Sequence, residues 1–96
     1  INLVKNSIDS INNKTNGKIQ INASQSPSSD IIIQVVDNGT GISADQIDKV
    51  FIPFFTTKEK GSGIGLSLSR QIMKLHGGTI SVFSKPGEET VFSLRF

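Results

Sequence analysis

The clearest chemical group in this sequence is a carboxylate that follows an apolar run. Residues 31 to 36 have the composition of a buried β-strand, and Asp37 comes directly after them. Because side chains alternate along a strand, Asp37 shares the inward face with Ile33 and Val35. Gly39 and Gly41 follow, and neither has a Cβ that would keep the backbone away from a ligand. The pattern predicts an inward-facing acceptor for a flat ligand edge that carries a hydrogen-bond donor. An ordinary Asp-Asn-Gly turn is the alternative.

A row of short polar side chains marks the first helix, which is predicted over residues 1–12. Asn2, Asn6 and Asp9 follow one another at i, i+4 and i+7, with Lys5 beside them. A carboxamide oxygen suits a Mg²⁺ ion that also carries phosphates. The row therefore indicates a metal and phosphate site, and a plain solvated helix face is the alternative.

A glycine-rich run from Gly61 to Leu66 opens a second helix, predicted over residues 64–75. Free N–H groups and the positive end of the helix dipole favour an anion such as phosphate there. The run is not a P-loop, because Leu66 and Ser67 stand where Lys and Ser or Thr are needed. It is not a dinucleotide fingerprint either, because no strand precedes it. The apolar residues 51–58 just before it are expected to dock on the core or on a partner.

Two further polar residues stand at positions for which the sequence predicts a role. Thr90 is the only polar member of the inward row of the last predicted strand, where it could bond a buried acceptor such as Asp37. His76 stands at a helix C-terminus beside two glycines, so we expect it to cap the helix rather than to act in catalysis.

Composition places these residues in one small domain. The chain has 96 residues, 35% of them hydrophobic, and no stretch is apolar for the length of a membrane span. The absence of cysteine excludes disulfides and thiolate metal sites. The net charge of +2 is scattered and comes without Trp or Tyr, so we expect no nucleic-acid groove and no polybasic membrane patch. The sequence starts in mid-pattern, which suggests an excised fragment.

The remaining patterns predict the elements that must position these groups. The apolar faces of the two helices would be Ile1, Val4, Ile8 and Ile11 in the first and Ile64, Leu68, Ile72 and Leu75 in the second, which ends at Gly77-Gly78. Strands are predicted over residues 18–23, 31–37, 79–84 and 90–96, the last two joined by a Pro-Gly turn. Ser43 is expected to cap a short helix over residues 44–50. This order predicts a two-layer α/β sandwich with helices on one face of a sheet.

Four segments, taken in order, resemble the N, G1, F and G2 boxes of the ATP-binding catalytic domain of sensor histidine kinases. They are residues 2–7, 37–42, 51–58 and 61–66, and Leu75-His76-Gly77-Gly78 follows them. The likeness extends over essentially the whole chain. It implies a Bergerat-type ATP-binding fold with helices on one face of a mixed β-sheet, shared with gyrase, the heat-shock chaperone of the same class and mismatch-repair ATPases. On this resemblance residues 1–96 are that domain, N-terminally truncated and without its dimerisation domain.

The resemblance implies ATP and Mg²⁺ as ligands and roles at the matching positions. Asn6 would ligate Mg²⁺ with help from Asn2, and Lys5 would reach the phosphates. Asp37 would accept from the adenine exocyclic amine, supported by Thr90 through water. The base pocket and the lid over the triphosphate would include Gly39, Gly41, Ile42, Thr57, Lys58, Gly61, Ser62, Gly63, Ile64, Gly65 and Leu66. Lys58 would be the lid cation, and the catalytic residues would be Lys5, Asn6 and Lys58.

The position four residues before Asn6 bears on the reaction. Hydrolytic members of the superfamily carry a glutamate there that orients water, and Asn2 cannot act as a general base. The resemblance therefore implies slow hydrolysis and transfer of the γ-phosphate to a histidine on a separate domain. Phosphoryl transfer needs mainly alignment and charge neutralisation, so a domain without its own nucleophile can still be the catalytic part.

The implied partners are ATP, the dimerisation and histidine phosphotransfer domain of the same kinase and, indirectly, a response regulator, with no nucleic acid and no direct membrane contact. A cytoplasmic location is expected for the domain, whether or not the parent protein is membrane-anchored. The alternatives are an ATPase clamp or protein-serine kinase of the same superfamily, and a nucleotide-binding regulatory module without turnover. Three features depart from the family pattern: the chain begins inside the first helix, Ser7 replaces the usual alanine, and Glu88-Glu89 stand where glycines often precede the strand threonine.

Overall fold

The fold consists of a four-stranded sheet with two helices packed against it. The computed structural model describes residues 2–11, 16–52 and 65–96, apart from the side chain of Asn2. The elements in chain order are α1 (Asn2–Ile11), β1 (Ile19–Gln25), β2 (Ile31–Asp37), a 3₁₀ helix (Ile47–Lys49), α2 (Gly65–Leu75), β3 (Thr79–Lys85) and β4 (Glu89–Arg95). Neither α-helix in this part of the chain is long and apolar enough to cross a membrane. The predicted two-layer sandwich is confirmed.

The strand order in the sheet is β1-β2-β4-β3, and every ladder between these described strands is antiparallel. This corrects the prediction of a mixed sheet. β2 and β3 do run in the same direction, as strands joined by a helical crossover do, but β4 is inserted between them and prevents a parallel ladder. β4 reaches this place because the Pro86-Gly87 turn, with Gly87 at φ +79°, folds it back onto β3.

The core lies between α1 and one face of the sheet. Leu3 of α1 packs on Val35 and Phe92, which are paired across β2 and β4. The next pair along the same face is Asp37 and Thr90, and both are buried. The predicted inward orientation of Asp37 is therefore confirmed, and this carboxylate lies at the end of the row of apolar core residues.

The helix faces that pack on the sheet match the prediction only in part: Val4 packs against the core as predicted, but other predicted residues are exposed. In α1 the buried residues are Leu3 and Ser7, whereas Ile8 is 53% exposed. In α2 Met73 is buried, and three of the predicted core residues are exposed: Leu68, Ile72 and Leu75. Apolar spacing identifies a helix, but the face that packs depends also on how closely the backbone can approach, and Ser7 lets α1 come close to β2. Ile1 and Ile64 lie outside the described residues.

The predicted short helix over residues 44–50 is wrong in type and length. A turn precedes a 3₁₀ helix of three residues, and Gln46 rather than Ser43 stands at its N-cap, without a side-chain capping bond. The Ser43 hydroxyl instead donates to the Asp45 carboxylate and is the main reason that the pKa of Asp45 lies below its usual value. The Ser43 backbone carbonyl accepts the N–H groups of Gln46 and Ile47, each at 3.0 Å, so this residue begins the turn that precedes the 3₁₀ helix.

The end of α2 follows the prediction. Gly77 has φ +72°, and the Gly78 N–H donates to the Met73 carbonyl at 2.8 Å, which is the six-to-one bond of a Schellman motif. The His76 ring nitrogen Nδ1 donates to the Ile72 carbonyl, also at 2.8 Å. His76 therefore caps the helix, as predicted.

Candidate functional site

The Asp37 carboxylate is the central group of the candidate site. Its exposed fraction is 2%, and each of its oxygens has a donor. The Gly39 N–H donates to Oδ1 at 3.0 Å, and the Ser7 hydroxyl donates to Oδ2 at 3.0 Å. An ionised carboxylate has about four acceptor positions. Two of them hold it in place from within the protein, so acceptor capacity is left for a ligand.

Helix α1 brings a second set of predicted residues to this end of the domain. Asn6 directly precedes Ser7, and consecutive residues of a helix lie about 1.5 Å apart along its axis. Asn6 is half-buried and Lys5 is exposed. The predicted metal ligand and the predicted base reader are thus carried by two elements that contact each other through the Ser7 hydroxyl.

The donor set fits a magnesium ion that is shared with a nucleotide. Mg²⁺ is held by one or two protein oxygens, and phosphate oxygens and water complete its octahedron. The carboxamide oxygen of Asn6 is a ligand of this kind. Among the residues that the structure describes, no three or more His, Asp or Glu side chains form a group that could hold a metal by themselves.

Gly39 is required by the close approach of α1. A Cβ at this position would lie 2.1 Å from Ser10 Oγ and 2.6 Å from the Ser10 carbonyl oxygen. The next residue, Thr40, donates its N–H to Ser10 Oγ at 3.1 Å. The sequence predicts that Gly39 lets the backbone come close to a ligand. The structure shows a different reason for a glycine at this position, because helix α1 packs directly against this segment.

The other side of the same segment lies on the β3–β4 hairpin. Gly41 has φ +80°, and a Cβ there would lie 2.8 Å from Pro86 Cα. The Ile42 N–H donates to Ser84 Oγ at 2.8 Å, and this hydroxyl lies 2.9 Å from Thr90 Oγ1. Residues 39–42 are therefore held between helix α1 and the hairpin, which fixes the backbone that follows Asp37.

Thr90 lies opposite Asp37 in the sheet and is buried, as predicted. The hydrogen bond described for its hydroxyl is the one with Ser84. Support of Asp37 through water stays a prediction.

The Asn38 side chain bonds to the segment that leads into β1. Its Oδ1 accepts from the Lys18 N–H at 2.7 Å, and its Nδ2 donates to the Asn16 carbonyl at 3.0 Å. Asn38 therefore anchors the start of β1 and has a structural role between two residues of the candidate site.

The start of α2 contributes Gly65 and Leu66. Gly65 is the first residue of the helix, and Leu66 packs against the core formed by Leu3, Val35 and Phe92. Phe51 packs on the same core, with the Arg70 guanidinium 5.8 Å from its ring centroid. The other predicted lid residues lie outside the described part of the chain: Thr57, Lys58, Gly61, Ser62, Gly63 and Ile64. The roles predicted for them, and for the side chain of Asn2, stay predictions.

Sequence reasoning missed three serines that build the site. Ser7, Ser10 and Ser84 bond respectively to the carboxylate, to the residue after Gly39 and to the residue after Gly41. The sequence contains one signal for them, the departure of Ser7 from the usual alanine. Their partners lie 30 or 42 residues away along the chain, where no local pattern can identify them.

These features fit the class of ATP-binding α/β sandwiches. A buried acid lies at the end of a central strand and bonds to a helix that carries an asparagine, and helices pack on the sheet. The chain belongs to the family of histidine kinase-, DNA gyrase B- and HSP90-like ATPases, whose sequence model matches residues 1–96. The resemblance seen in the four boxes is therefore confirmed.

Curated relatives place the chain near bacterial sensor kinases. It is 44% identical over 94 residues to the sensor histidine kinase ZraS of Escherichia coli strain K12. It is 41% identical over 90 residues to the C4-dicarboxylate transport sensor protein DctB of Rhizobium meliloti strain 1021. These alignments cover 98% and 94% of this chain but only 20% and 14% of the two relatives. The chain thus spans a fifth or less of their length.

Solved structures agree with this placement. The nucleotide-free catalytic domain of the histidine kinase ThkA superposes with a TM-score of 0.82 and 35% identity, covering 100% of this chain and 61% of that one. The mycobacterial sensor histidine kinase MprB gives a TM-score of 0.85 at 22% identity, covering 99% and 66%, which supports the fold alone.

Proposed function

We propose that this domain binds ATP together with Mg²⁺ and presents the γ-phosphate to a histidine on a separate dimerisation domain of the same kinase. The main support is the Asp37 carboxylate, which is buried at the end of β2 and hydrogen-bonded to α1. The names of the relatives, which are sensor histidine kinases, support the class of reaction. Slow hydrolysis is expected because Asn2 stands where a water-orienting glutamate would be needed.

Asp37 would read the base. An ionised carboxylate only accepts hydrogen bonds, so it pairs with the exocyclic amine of adenine. Guanine carries a carbonyl oxygen at the matching position, and two acceptors facing each other in a buried site leave both unsatisfied. A mismatch of this kind costs on the order of 1–3 kcal/mol, so the site would prefer ATP to GTP.

Residues of α1 and α2 would hold the other end of the nucleotide. Asn6 would ligate Mg²⁺ and Lys5 would pair with phosphate oxygens, while the N–H groups at the start of α2, around Gly65, favour an anion. Bound Mg²⁺ would neutralise charge on the triphosphate. Lys58 and the run from Gly61 to Ile64 are proposed as the lid over the phosphates.

The proposed partners follow from the different parts that this domain and a second domain would have in the transfer. The domain supplies positioning and charge neutralisation, and the accepting histidine belongs to the dimerisation and histidine phosphotransfer domain. A response regulator would receive the phosphoryl group from that histidine and not from this domain.

Calorimetric titration with ATP and with GTP, each with and without Mg²⁺, tests the binding part of the proposal. We expect Mg²⁺-dependent binding of ATP and weaker binding of GTP. GTP bound as tightly as ATP would overturn the role of Asp37.

A matched pair of variants tests the metal ligand. Asn6→Ala should remove the gain in ATP affinity that Mg²⁺ provides, because the carboxamide oxygen is lost. Asn22→Ala removes an exposed asparagine of β1 that lies on the opposite face of the sheet from Asp37, and it should leave that gain unchanged. An Mg²⁺ effect that survives in Asn6→Ala would exclude Asn6 as the ligand.

A further inference from the structure

The side chain of Ser7 is almost completely buried, with an exposed fraction of 1%. Its hydroxyl donates to Asp37 Oδ2 at 3.0 Å from the inner face of α1. Comparison of the sequence with the family pattern assigns no role to this residue, since alanine usually stands there.

The direction of this hydrogen bond is set by chemistry. An ionised carboxylate has no proton to give, so the serine must be the donor. A hydroxyl has a single hydrogen that it can donate. The donor of Ser7 is therefore committed to Asp37. The other carboxylate oxygen receives the Gly39 N–H, which belongs to the turn after β2.

Two donors from separate elements fix the plane of the carboxylate. Rotation about the Cβ–Cγ bond would break both the bond from α1 and the bond from the turn. With alanine in place of Ser7 only the Gly39 bond would remain, and the carboxylate could turn about it. A ligand would then have to order the group on binding, which lowers affinity.

We infer that Ser7 is a positioning residue for adenine recognition: its hydroxyl aims the free acceptor positions of Asp37 at the exocyclic amine of the base. This inference rests on the proposed function. It predicts that the effect of Ser7 depends on that amine, whereas a purely structural role of Ser7 would affect every nucleotide equally.

The test compares ATP with the triphosphate of unsubstituted purine ribonucleoside, which is the same molecule without the exocyclic amine. Calorimetry on Ser7→Ala should show ATP binding weakened about 3- to 10-fold, the range of one hydrogen bond. Binding of the amine-free analogue should stay within about twofold of wild type, because it makes no bond to Asp37. The ratio of the two affinities should therefore fall.

Ser10→Ala is the matched control. It removes another hydroxyl of α1, whose partner is the Thr40 N–H and not the carboxylate. We expect it to change the affinities for the two triphosphates by the same factor. Ser7→Cys keeps a similar size and a weak donor, so it should give a selectivity between those of wild type and Ser7→Ala. It also keeps the inference testable if the alanine variant does not fold.

The outcomes separate the inference from the proposed function. If wild type binds ATP and the amine-free analogue equally, Asp37 does not read the base and the proposed function fails. If wild type prefers ATP but Ser7→Ala keeps that preference in full, or loses both ligands equally, only the positioning role of Ser7 is overturned.

Discussion

Replacement of Asp37 by asparagine tests whether this carboxylate reads the base. The surrounding hydrogen bonds determine how the new amide group is oriented. The Gly39 N–H can only donate, so the oxygen of the new amide must face it at the place of Oδ1. The NH₂ group then takes the place of Oδ2, opposite the Ser7 hydroxyl. A hydroxyl can turn and accept, so the interior keeps its hydrogen bonds. We expect Asp37→Asn to fold.

The expected loss falls on the ligand. The variant has no negative charge, and one of its two former acceptor atoms has become a donor facing the region of the base. Loss of one buried, charged hydrogen bond costs about 1–3 kcal/mol, which corresponds to roughly 5- to 150-fold weaker ATP binding. The midpoint of thermal unfolding without nucleotide should change little by comparison.

Calorimetric titration with ATP in excess Mg²⁺ measures this loss. Asp30→Asn provides the control, because Asp30 is a partly exposed carboxylate at the other end of β2 that pairs with Arg95 Nε at 2.8 Å. This control should bind ATP like wild type. ATP affinity of Asp37→Asn within about twofold of wild type, well below the expected hydrogen-bond energy, would refute the role of the carboxylate.

Three further changes test the supports of the site. Gly39→Ala would place a Cβ 2.1 Å from Ser10 Oγ; overpacking of this kind costs about 1–3 kcal/mol, so the urea midpoint should fall, and an unchanged midpoint would mean that α1 yields. Ser84→Ala removes the hydroxyl that accepts from the backbone after Gly41; a lower midpoint and weaker nucleotide binding are expected, and binding unchanged in the folded variant would show that the hairpin does not hold the site. The Ser43 hydroxyl lowers the pKa of Asp45. A carboxyl group whose pKa is lower in the folded protein than in the unfolded chain stabilises the fold at neutral pH. This stabilisation is lost as the pH falls below about 4, because the carboxyl group becomes protonated. Ser43→Ala should raise the pKa of Asp45 and reduce the loss of stability in acid. NMR titration of the Asp45 carboxyl carbon measures this pKa. An unchanged pKa would contradict the role assigned to the Ser43 hydroxyl.

Local patterns were sufficient to predict the strands and the position of the acid. Alternation along a strand decides which side chains share a face, so the burial of Asp37 together with Val35 followed from sequence spacing. The turn chemistry of Pro86-Gly87 and the glycine cap at Gly77 were predictable for the same reason, because each depends on residues within a few positions.

Features that depend on distant partners could not be predicted. The insertion of β4 between β2 and β3 is decided by pairing across the whole sheet. The exposure of Leu75, at 79%, follows from how α2 is rotated on the sheet and not from its own periodicity. The contact of Ser7 with Asp37 joins residues 30 positions apart, so no local pattern around Ser7 identifies Asp37 as its partner.

A crystal structure of the chain with Mg²⁺ and a non-hydrolysable ATP analogue would test the central claim most directly. The exocyclic amine of adenine should lie about 3 Å from an oxygen of Asp37. The carboxamide oxygen of Asn6 should lie about 2.1 Å from the metal. A nucleotide whose base lies elsewhere, with the Asp37 carboxylate bonded to Ser7 and Gly39 alone, would contradict the account.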